Sequence, residues 1–224
     1  MRPQPIESLE RPTILQEAAP QAALGDLRFR NLLSSEDWNA LPPAVRKRFT
    51  KRLSGTAAAI YVGEVIETKL TRIGWLIAQA ARIAGAPLPT SRMCDTPSIV
   101  TVTEDGAGGG QVWTRLYGRA DAFPQVIHSA KRFGGPTGLE EYAAAWIGMT
   151  LTVHVEDRAL VFRSEHYFLK LGRFRVALPL WFTPGAITVT HAEIDEGRFT
   201  FALKADHPLF GEIIYQRADF HDAN

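Results

Sequence analysis

The sequence predicts an α+β protein that is mainly antiparallel β, with a curved sheet or half-barrel of about eight to nine strands, one packed helix and helices near the N-terminus. From residue 97 onward, successive short segments alternate apolar and polar side chains, which is typical of strands with one buried face. Turns such as Asp195-Glu196-Gly197 join several of these segments and indicate hairpins. Before them, residues 69–84 repeat their apolar side chains at helical spacing.

The composition favours a single folded domain. Of the 224 residues, 46% are hydrophobic and 22% are charged, so the chain can bury a substantial core. The net charge of +1 argues against a nucleic-acid-binding protein. Cys94 is the only cysteine, which excludes an intramolecular disulfide and a cysteine-based metal cage. The sequence lacks the apolar core of a secretory signal and any transmembrane segment, so we expect a cytoplasmic protein.

The N-terminal region divides into an arm and a helical part. Residues 1–24 contain four prolines among Ala, Gln and Glu and predict a flexible arm, whereas residues 25–224 form the single β-rich domain. A serine ahead of Glu36 and Asp37 predicts a helix N-cap. The basic run 46–52 fits the C-terminus of the next short helix, where cations complement the helix dipole; contact with a phosphate, a membrane surface or an acidic partner is the alternative.

The rest of the chain consists of one helix and a series of strands. Residues 54–68 predict a strand, and the helix at 69–84 ends at Gly85 and Pro87. We expect this helix to cap the concave face of the sheet, and it can leave part of that face open as a cavity. Eight strands follow, at 98–104, 111–118, 125–133, 147–156, 158–168, 186–194, 198–206 and 211–220.

Alternation along these strands also predicts which side chains face the interior. His166 shares the face of Phe162, and His191 shares the face of Val189, so both histidines are expected to point inward. Glu193 has the same parity as His191. A carboxylate beside an imidazole in a dry pocket is a workable acid–base pair, so the candidate catalytic residues are His166, His191 and Glu193. The alternative is that the histidines are hydrogen-bonded core residues.

Binding residues are predicted from the same interior face. Trp113 and Arg115 lie two residues apart on one strand, where the arginine either holds a ligand carboxylate or stacks on the indole. The histidines lack HxH and HxxxH spacing, so no metal site is predicted, and no motif implies a cofactor. The glycine cluster 106–110 predicts a hairpin loop, because no helix follows it to bind phosphate. The candidate ligand-binding residues are Trp113, Arg115, His128, Phe162, Phe199 and Phe201.

Several motifs resemble a bacterial family. They are Trp113 with the following TRLYG, KRFGGPTGLEEY, VEDRALVFRS, RVALPLWFTPGAITVTHAEIDEGRFTF, HPLFGEIIYQ and AGAPLP. Together they resemble the domain of unknown function 4166 (DUF4166) family over residues 28–220. The resemblance implies no established activity and no catalytic residues. It does imply that members occur alone or after a Rossmann-type oxidoreductase domain, so any cofactor chemistry would require an oxidoreductase partner of that type.

Three functions are consistent with these predictions. The first is a binding module that holds a lipophilic or aromatic small molecule against the concave face. The second is an acid–base enzyme, such as an isomerase, cyclase or hydratase, whose catalytic side chains converge on the same cavity. The third is an accessory or assembly domain, which would present an exposed apolar patch in place of a pocket.

Overall fold

The computed structural model describes residues 25–120 and 122–223, so the predicted arm at residues 1–24 lies outside the described residues. The described α-helices are α1 (Ser35–Ala40), α2 (Pro43–Phe49) and α3 (Arg72–Ile83), with short 3-10 turns at Arg30–Leu32 and Leu180–Phe182. None of the described helices is long and apolar enough to cross a membrane. The strands are β1 (Ala58–Leu70), β2 (Thr96–Asp105), β3 (Gly110–Tyr117), β4 (Gln125–Phe133), β5 (Leu139–Tyr142), β6 (Ile147–Glu156), β7 (Ala159–Leu171), β8 (Phe174–Leu178), β9 (Ala186–Asp195), β10 (Arg198–His207) and β11 (Gly211–Asp222).

The strands form a closed antiparallel barrel. Their order is β6-β5-β4-β3-β2-β1-β11-β10-β9-β7-β8, and an additional pairing of β6 with β7 closes ten strands into a ring. The eleventh strand, β8, pairs with the end of β7 that extends beyond its pairing with β9. The prediction of a mainly antiparallel curved sheet is confirmed, but a half-barrel of eight to nine strands is a looser description than the closed barrel observed.

Two short strands account for the difference in strand count. β5 is buried at all four positions, so its sequence LEEY does not alternate as a half-buried strand does. β8 is exposed along most of its length, so the short alternation in its sequence FRVAL does not correspond to a buried face. Burial therefore alternates in neither strand, and the sequence of β5 carries no periodic signal.

Because neighbouring strands are antiparallel, successive connections alternate between the two ends of the barrel. The connections β2–β3, β4–β5, β6–β7 and β9–β10 lie at one end, which we call the α2 end. The connections β1–β2, β3–β4, β5–β6 and β10–β11, together with the segment from β7 through β8 to β9, lie at the other end, which we call the α3 end because α3 is part of the β1–β2 connection.

The N-terminal helices fill the α2 end. Phe49, the last residue of α2, is buried inside the barrel, where its ring centre lies 5.7 Å from that of Phe162 and 5.1 Å from that of His191. Phe29 packs edge-on against Phe49 and against Phe133 of β4. These large side chains interdigitate as a core does, so this end of the barrel is solid.

The predicted helix at 69–84 is confirmed as α3, and it lies across the other end. Its first turn is capped by Thr71, whose Oγ1 accepts a hydrogen bond from the Gly74 N–H at 3.0 Å. A β-carbon at Gly74 would collide with the Ile213 carbonyl oxygen, so glycine is what allows α3 to lie this close to β11.

A β-bulge in β7 overturns one predicted orientation. Met149 of β6 faces Tyr167, whereas Leu151 faces Ser164, so β7 contains one extra residue between these two pairs. An extra residue reverses which side of the strand faces inward. Tyr167 is therefore buried and His166 is exposed, and the prediction that His166 points inward is wrong.

Candidate functional site

A cavity of about 590 Å³ occupies the α3 end of the barrel. Its roof is formed by the inward face of α3 and the residue that follows the helix, which contribute Ile77 and three alanines, Ala80, Ala81 and Ala84. The residues 181–184 that precede β9 close one side. Alanines leave most of the space beneath a helix unfilled, which explains why this end of the barrel is hollow.

The walls of the cavity are predominantly apolar. Strand side chains that line it are Tyr117, Ile127, Met149, Tyr167, Ile187, Val189 and Leu203. The Tyr167 hydroxyl donates a hydrogen bond to the Gly185 carbonyl oxygen at 2.8 Å, so this buried phenol already has a hydrogen-bond partner within the protein. A volume of this size falls within the range of roughly 300–1,000 Å³ that is usual for small-molecule sites.

The inner end of the cavity meets a group of polar side chains that we call the Arg115 cluster: the half-buried Arg115 and the buried Ser129, Lys131 and Glu141. The Lys131 Nζ lies 2.8 Å from Glu141 Oε2, and the Ser129 hydroxyl donates to Glu141 Oε1 at 2.6 Å. The Arg115 guanidinium in turn donates to Ser129 Oγ at 3.3 Å. Only 4% of the Lys131 side chain and 8% of the Glu141 side chain are exposed.

Adjacent strands place these groups side by side. Lys131 and Glu141 are directly opposite one another on β4 and β5, and Arg115 faces Ile127 on the pair β3–β4. Directly opposite residues share a face of the sheet, so all three side chains point into the barrel. Arg115 lines both the large cavity and a smaller one of about 50 Å³ that lies deeper, next to Trp113.

The charges of the cluster act on one another. The pKa of Lys131 is lowered because burial removes water from its ammonium group; Glu141 opposes this shift and Arg115 adds to it. Burial by itself raises the pKa of Glu141, but the positive charges of Lys131 and Arg115 outweigh it, and the net shift is downward. The cluster thus holds an ionised carboxylate between two cationic side chains inside the barrel.

A second buried group, the Arg48 cluster, lies at the α2 end and consists of Arg48, His191 and Glu193. Arg48 NH1 lies 2.9 Å from His191 Nε2 and 3.4 Å from Glu193 Oε2, and its guanidinium stacks 3.7 Å above the Phe199 ring centre. Since an arginine can only donate, His191 Nε2 accepts and the ring is neutral. In agreement with this, burial and then the charge of Arg48 hold the pKa of His191 well below its usual range.

The predicted catalytic residues therefore do not converge on one pocket. His166 is outside the barrel, and neither His191 nor Glu193 lines the cavity of the α3 end. Arg48 sits between the imidazole and the carboxylate, so these two groups are not a directly bonded pair. Arg48 was predicted only as part of a basic helix terminus, where it indeed lies, but its side chain turns inward.

The predicted ligand-binding residues are mostly inside. Arg115 lines the large cavity, Trp113, Phe162 and Phe201 line the small one, and Phe199 lies beneath them against Arg48. His128 borders the cavity, but it is exposed because its neighbours Ile127 and Ser129 take the inward positions. Arg115 does not stack on Trp113 in the described residues; Lys131 does, with its Nζ 5.4 Å from the indole centre.

Sequence reasoning missed Lys131, Glu141 and Ser129. Lys131 and Ser129 share the parity of Ile127, so alternation did contain a signal for them. A lysine at an inward-facing position of a strand is ordinarily interpreted as a sign that the strand has ended, because lysine is among the residues least often buried. Glu141 carried no signal, since β5 itself was not predicted.

These features define a class: a ten-stranded antiparallel β-barrel domain that is solid at one end and encloses an apolar cavity with a buried ion cluster at the other. The chain belongs to the family described as domain of unknown function (DUF4166), whose model matches residues 41–220. The predicted family is thereby confirmed. No curated protein and no solved structure matches the chain.

Proposed function

We propose that this barrel binds an amphipathic small molecule, with the apolar part in the cavity at the α3 end and a single anionic group at Arg115. The observation that carries the proposal is the cavity of about 590 Å³ whose inner end meets the Arg115 cluster. The function is the binding module predicted from the sequence, with the class of ligand made more specific.

The shape and lining of the cavity support an apolar ligand body. Side chains around an empty apolar space lose the dispersion contacts that a packed core provides. A ligand that fills the space restores those contacts and removes its own apolar surface from water. The alanine side chains of α3 keep this space open. The Tyr167 hydroxyl is already hydrogen-bonded to Gly185, so it does not require a polar group on the ligand.

The charges of the cluster support an anionic group on the ligand. Lys131 and Glu141 pair with each other, so the charge of Arg115 has no counterpart of its own in the cluster. A guanidinium has five N–H donors, and the hydrogen bond to Ser129 uses one of those of Arg115. A ligand carboxylate can accept two parallel hydrogen bonds from the remaining N–H donors of Arg115. It also neutralises the positive charge of the guanidinium, which is energetically unfavourable beside apolar walls.

The acid–base enzyme hypothesis receives no comparable support. His191 is neutral and fully buried against Phe49 and Phe201, and it lies beneath the packed aromatic residues of the α2 end. A substrate in the cavity would meet Arg115 and Glu141 before it met His191. We therefore assign His191 and Glu193 to the packing of the closed end.

Dodecanoate and dodecanol provide a direct test, because they share the same chain and differ in the charge of the head group. We expect isothermal titration calorimetry to show dodecanoate binding that the Arg115→Met variant weakens by about tenfold to a hundredfold, the range for a lost hydrogen bond to a charged group. Dodecanol should bind the variant and the native protein alike. Arg163→Met, which removes an exposed arginine from the outer face of β7, is the matched control.

The two halves of the proposal fail in different ways. If neither compound binds, or if Ala81→Phe fills the cavity without weakening either, the cavity is not a binding site. If both compounds bind the native protein and Arg115→Met equally well, an apolar ligand is supported and the anionic group is wrong.

A further inference from the structure

Large apolar side chains project into solvent from every connection at the α3 end. One representative comes from each: Ile83 from the β1–β2 connection, Phe123 from β3–β4, Trp146 from β5–β6, Phe182 from the segment before β9 and Leu209 from β10–β11. Ile83 is 87% exposed, Phe123 93% and Leu209 70%. We call these five residues the rim, because the connections that carry them all lie at the end of the barrel that holds the cavity.

The described hairpin connections of the α2 end lack such residues. Its described hairpin connections consist of residues 106–109, 134–138, 157–158 and 196–197, which are glycine-rich or charged and contain no large apolar side chain. Turns are ordinarily built from residues of this kind. The exposed apolar residues of the rim are therefore a property of one end of the barrel and not of its loops in general.

Basic residues accompany the rim. Six of them lie on the same connections and strand ends, and none forms an ion pair with another described residue: Arg72, Arg82, Arg92, Arg119, Lys170 and Arg173. Of the described acids at this end, Glu67 pairs with Lys69, Asp206 and Glu212 both pair with Lys204, and Asp95 has no ion pair among the described residues. The end of the barrel that exposes aromatic and aliphatic side chains thus also carries an excess of positive charge.

We propose that the rim docks on a membrane surface that contains anionic lipid. Tryptophan and phenylalanine partition into the region between lipid head groups and acyl chains, and arginine and lysine at the same level attract anionic head groups. A protein partner would be expected to bind one contiguous apolar patch. The rim instead distributes its side chains over five separate connections at the end of the barrel that holds the cavity, an arrangement that a fluid surface can accept.

Docking in this orientation places the end of the barrel that holds the cavity against the bilayer. An amphipathic molecule could then pass between membrane and cavity without exposing its apolar part to water. This consequence rests on the proposed ligand, but the docking itself rests on the exposure and charge of the rim, and the two have separate measurements.

Flotation of the protein with vesicles tests the docking. We expect binding to vesicles of phosphatidylcholine and phosphatidylserine in equal amounts, weaker binding to phosphatidylcholine alone, and a decrease in binding as salt is added. The triple variant Ile83→Ser, Phe123→Ser, Leu209→Ser should reduce vesicle binding at least about tenfold. None of these three residues lines the cavity, so dodecanoate binding in solution should be unchanged.

The matched control is Leu27→Ser with Ile194→Ser, which removes exposed apolar residues near the α2 end and should leave vesicle binding as it is. The proposal is overturned if the native protein binds neither kind of vesicle, or if the triple variant binds vesicles as strongly as the native protein does. It is also overturned if the native protein self-associates without binding vesicles and the triple variant is monomeric by light scattering, since the rim would then join two copies of the chain.

Discussion

The two ends of the barrel are each covered by a helix, yet one end is solid and the other is hollow. α2 directs Phe49 and Arg48 inward, and their side chains fill the space between Phe162, His191 and Phe199. α3 directs small residues such as Ala81 inward and leaves about 590 Å³ unfilled. The comparison shows that the size of the side chains on the inward face of a covering helix decides whether a barrel end becomes core or cavity.

Each end also holds a buried ion cluster, and the two differ in their surroundings. In the Arg48 cluster one arginine bridges a neutral histidine and a carboxylate within aromatic packing. In the Arg115 cluster two cations flank one carboxylate next to open space. A buried charge without a counterpart is costly, so only the second cluster has a physical reason to attract an anion from outside.

The largest effect is expected when the solid end is made hollow. Phe49→Ala should lower the free energy of unfolding by about 3–5 kcal/mol, because a fully packed ring is replaced by a cavity. Ile77→Ala enlarges a cavity that already exists. It should therefore lower the free energy of unfolding by clearly less than about 3–5 kcal/mol. Urea denaturation measures both, and equal losses would show that the α2 end is no better packed than the α3 end.

Breaking the ion pair of the hollow end should have a somewhat smaller effect. Lys131→Met leaves the Glu141 carboxylate without its closest cation and should cost about 3 kcal/mol, the lower end of the range for a broken buried pair, because Arg115 and the Ser129 hydroxyl still stabilise the carboxylate. Adding Glu141→Met removes the orphaned charge. The double variant should therefore recover most of the loss in urea denaturation, and a double variant no more stable than Lys131→Met would contradict the ionic account.

The smallest effect concerns the pH dependence of stability at the solid end. The pKa of His191 is lowered in the folded protein, so the unfolded chain binds the proton more readily as pH falls below about 6.5. The contribution of His191 to stability is present above that pH and is lost below it, by up to about 1.4 kcal/mol per pH unit. His191→Gln, which can still accept from Arg48, should remove this slope from urea midpoints measured between about pH 7 and pH 5.

His166→Gln is the matched control for that measurement, because His166 is exposed on the outside of the barrel. His166→Gln should show the same dependence of the urea midpoint on pH as the native protein. A slope that disappears in His166→Gln and persists in His191→Gln would mean that the buried imidazole is not the group that titrates.

Much of the fold could be predicted from local patterns. Alternation located nine of the strands within a few residues of their observed ends, and three- and four-residue spacing located α3. The same alternation placed Trp113, Arg115 and Phe201 inside, where they are. These predictions hold because a half-buried strand or helix must present one apolar face, and such a face requires apolar residues at a fixed spacing along the sequence.

The rest depended on contacts between distant segments. β5 is buried on both faces, so no alternation marks it, and with it the partner of Lys131 was missed. One extra residue in β7 turned His166 outward, and such a bulge leaves no periodic signal because it is defined by the strand opposite.

The sequence by itself determined the family, most of the antiparallel strands, the helix across one end and many of the side chains on the inward face, because each of these follows from the order and spacing of residues. Only the tertiary structure decided that β6 meets β7 to close the ring, that Arg48 reaches His191, and that Lys131, Glu141 and Arg115 gather beside a cavity. These features join residues that are far apart in the chain, and pairing and packing across such distances are fixed by the volume and charge of the partner, which no local pattern encodes.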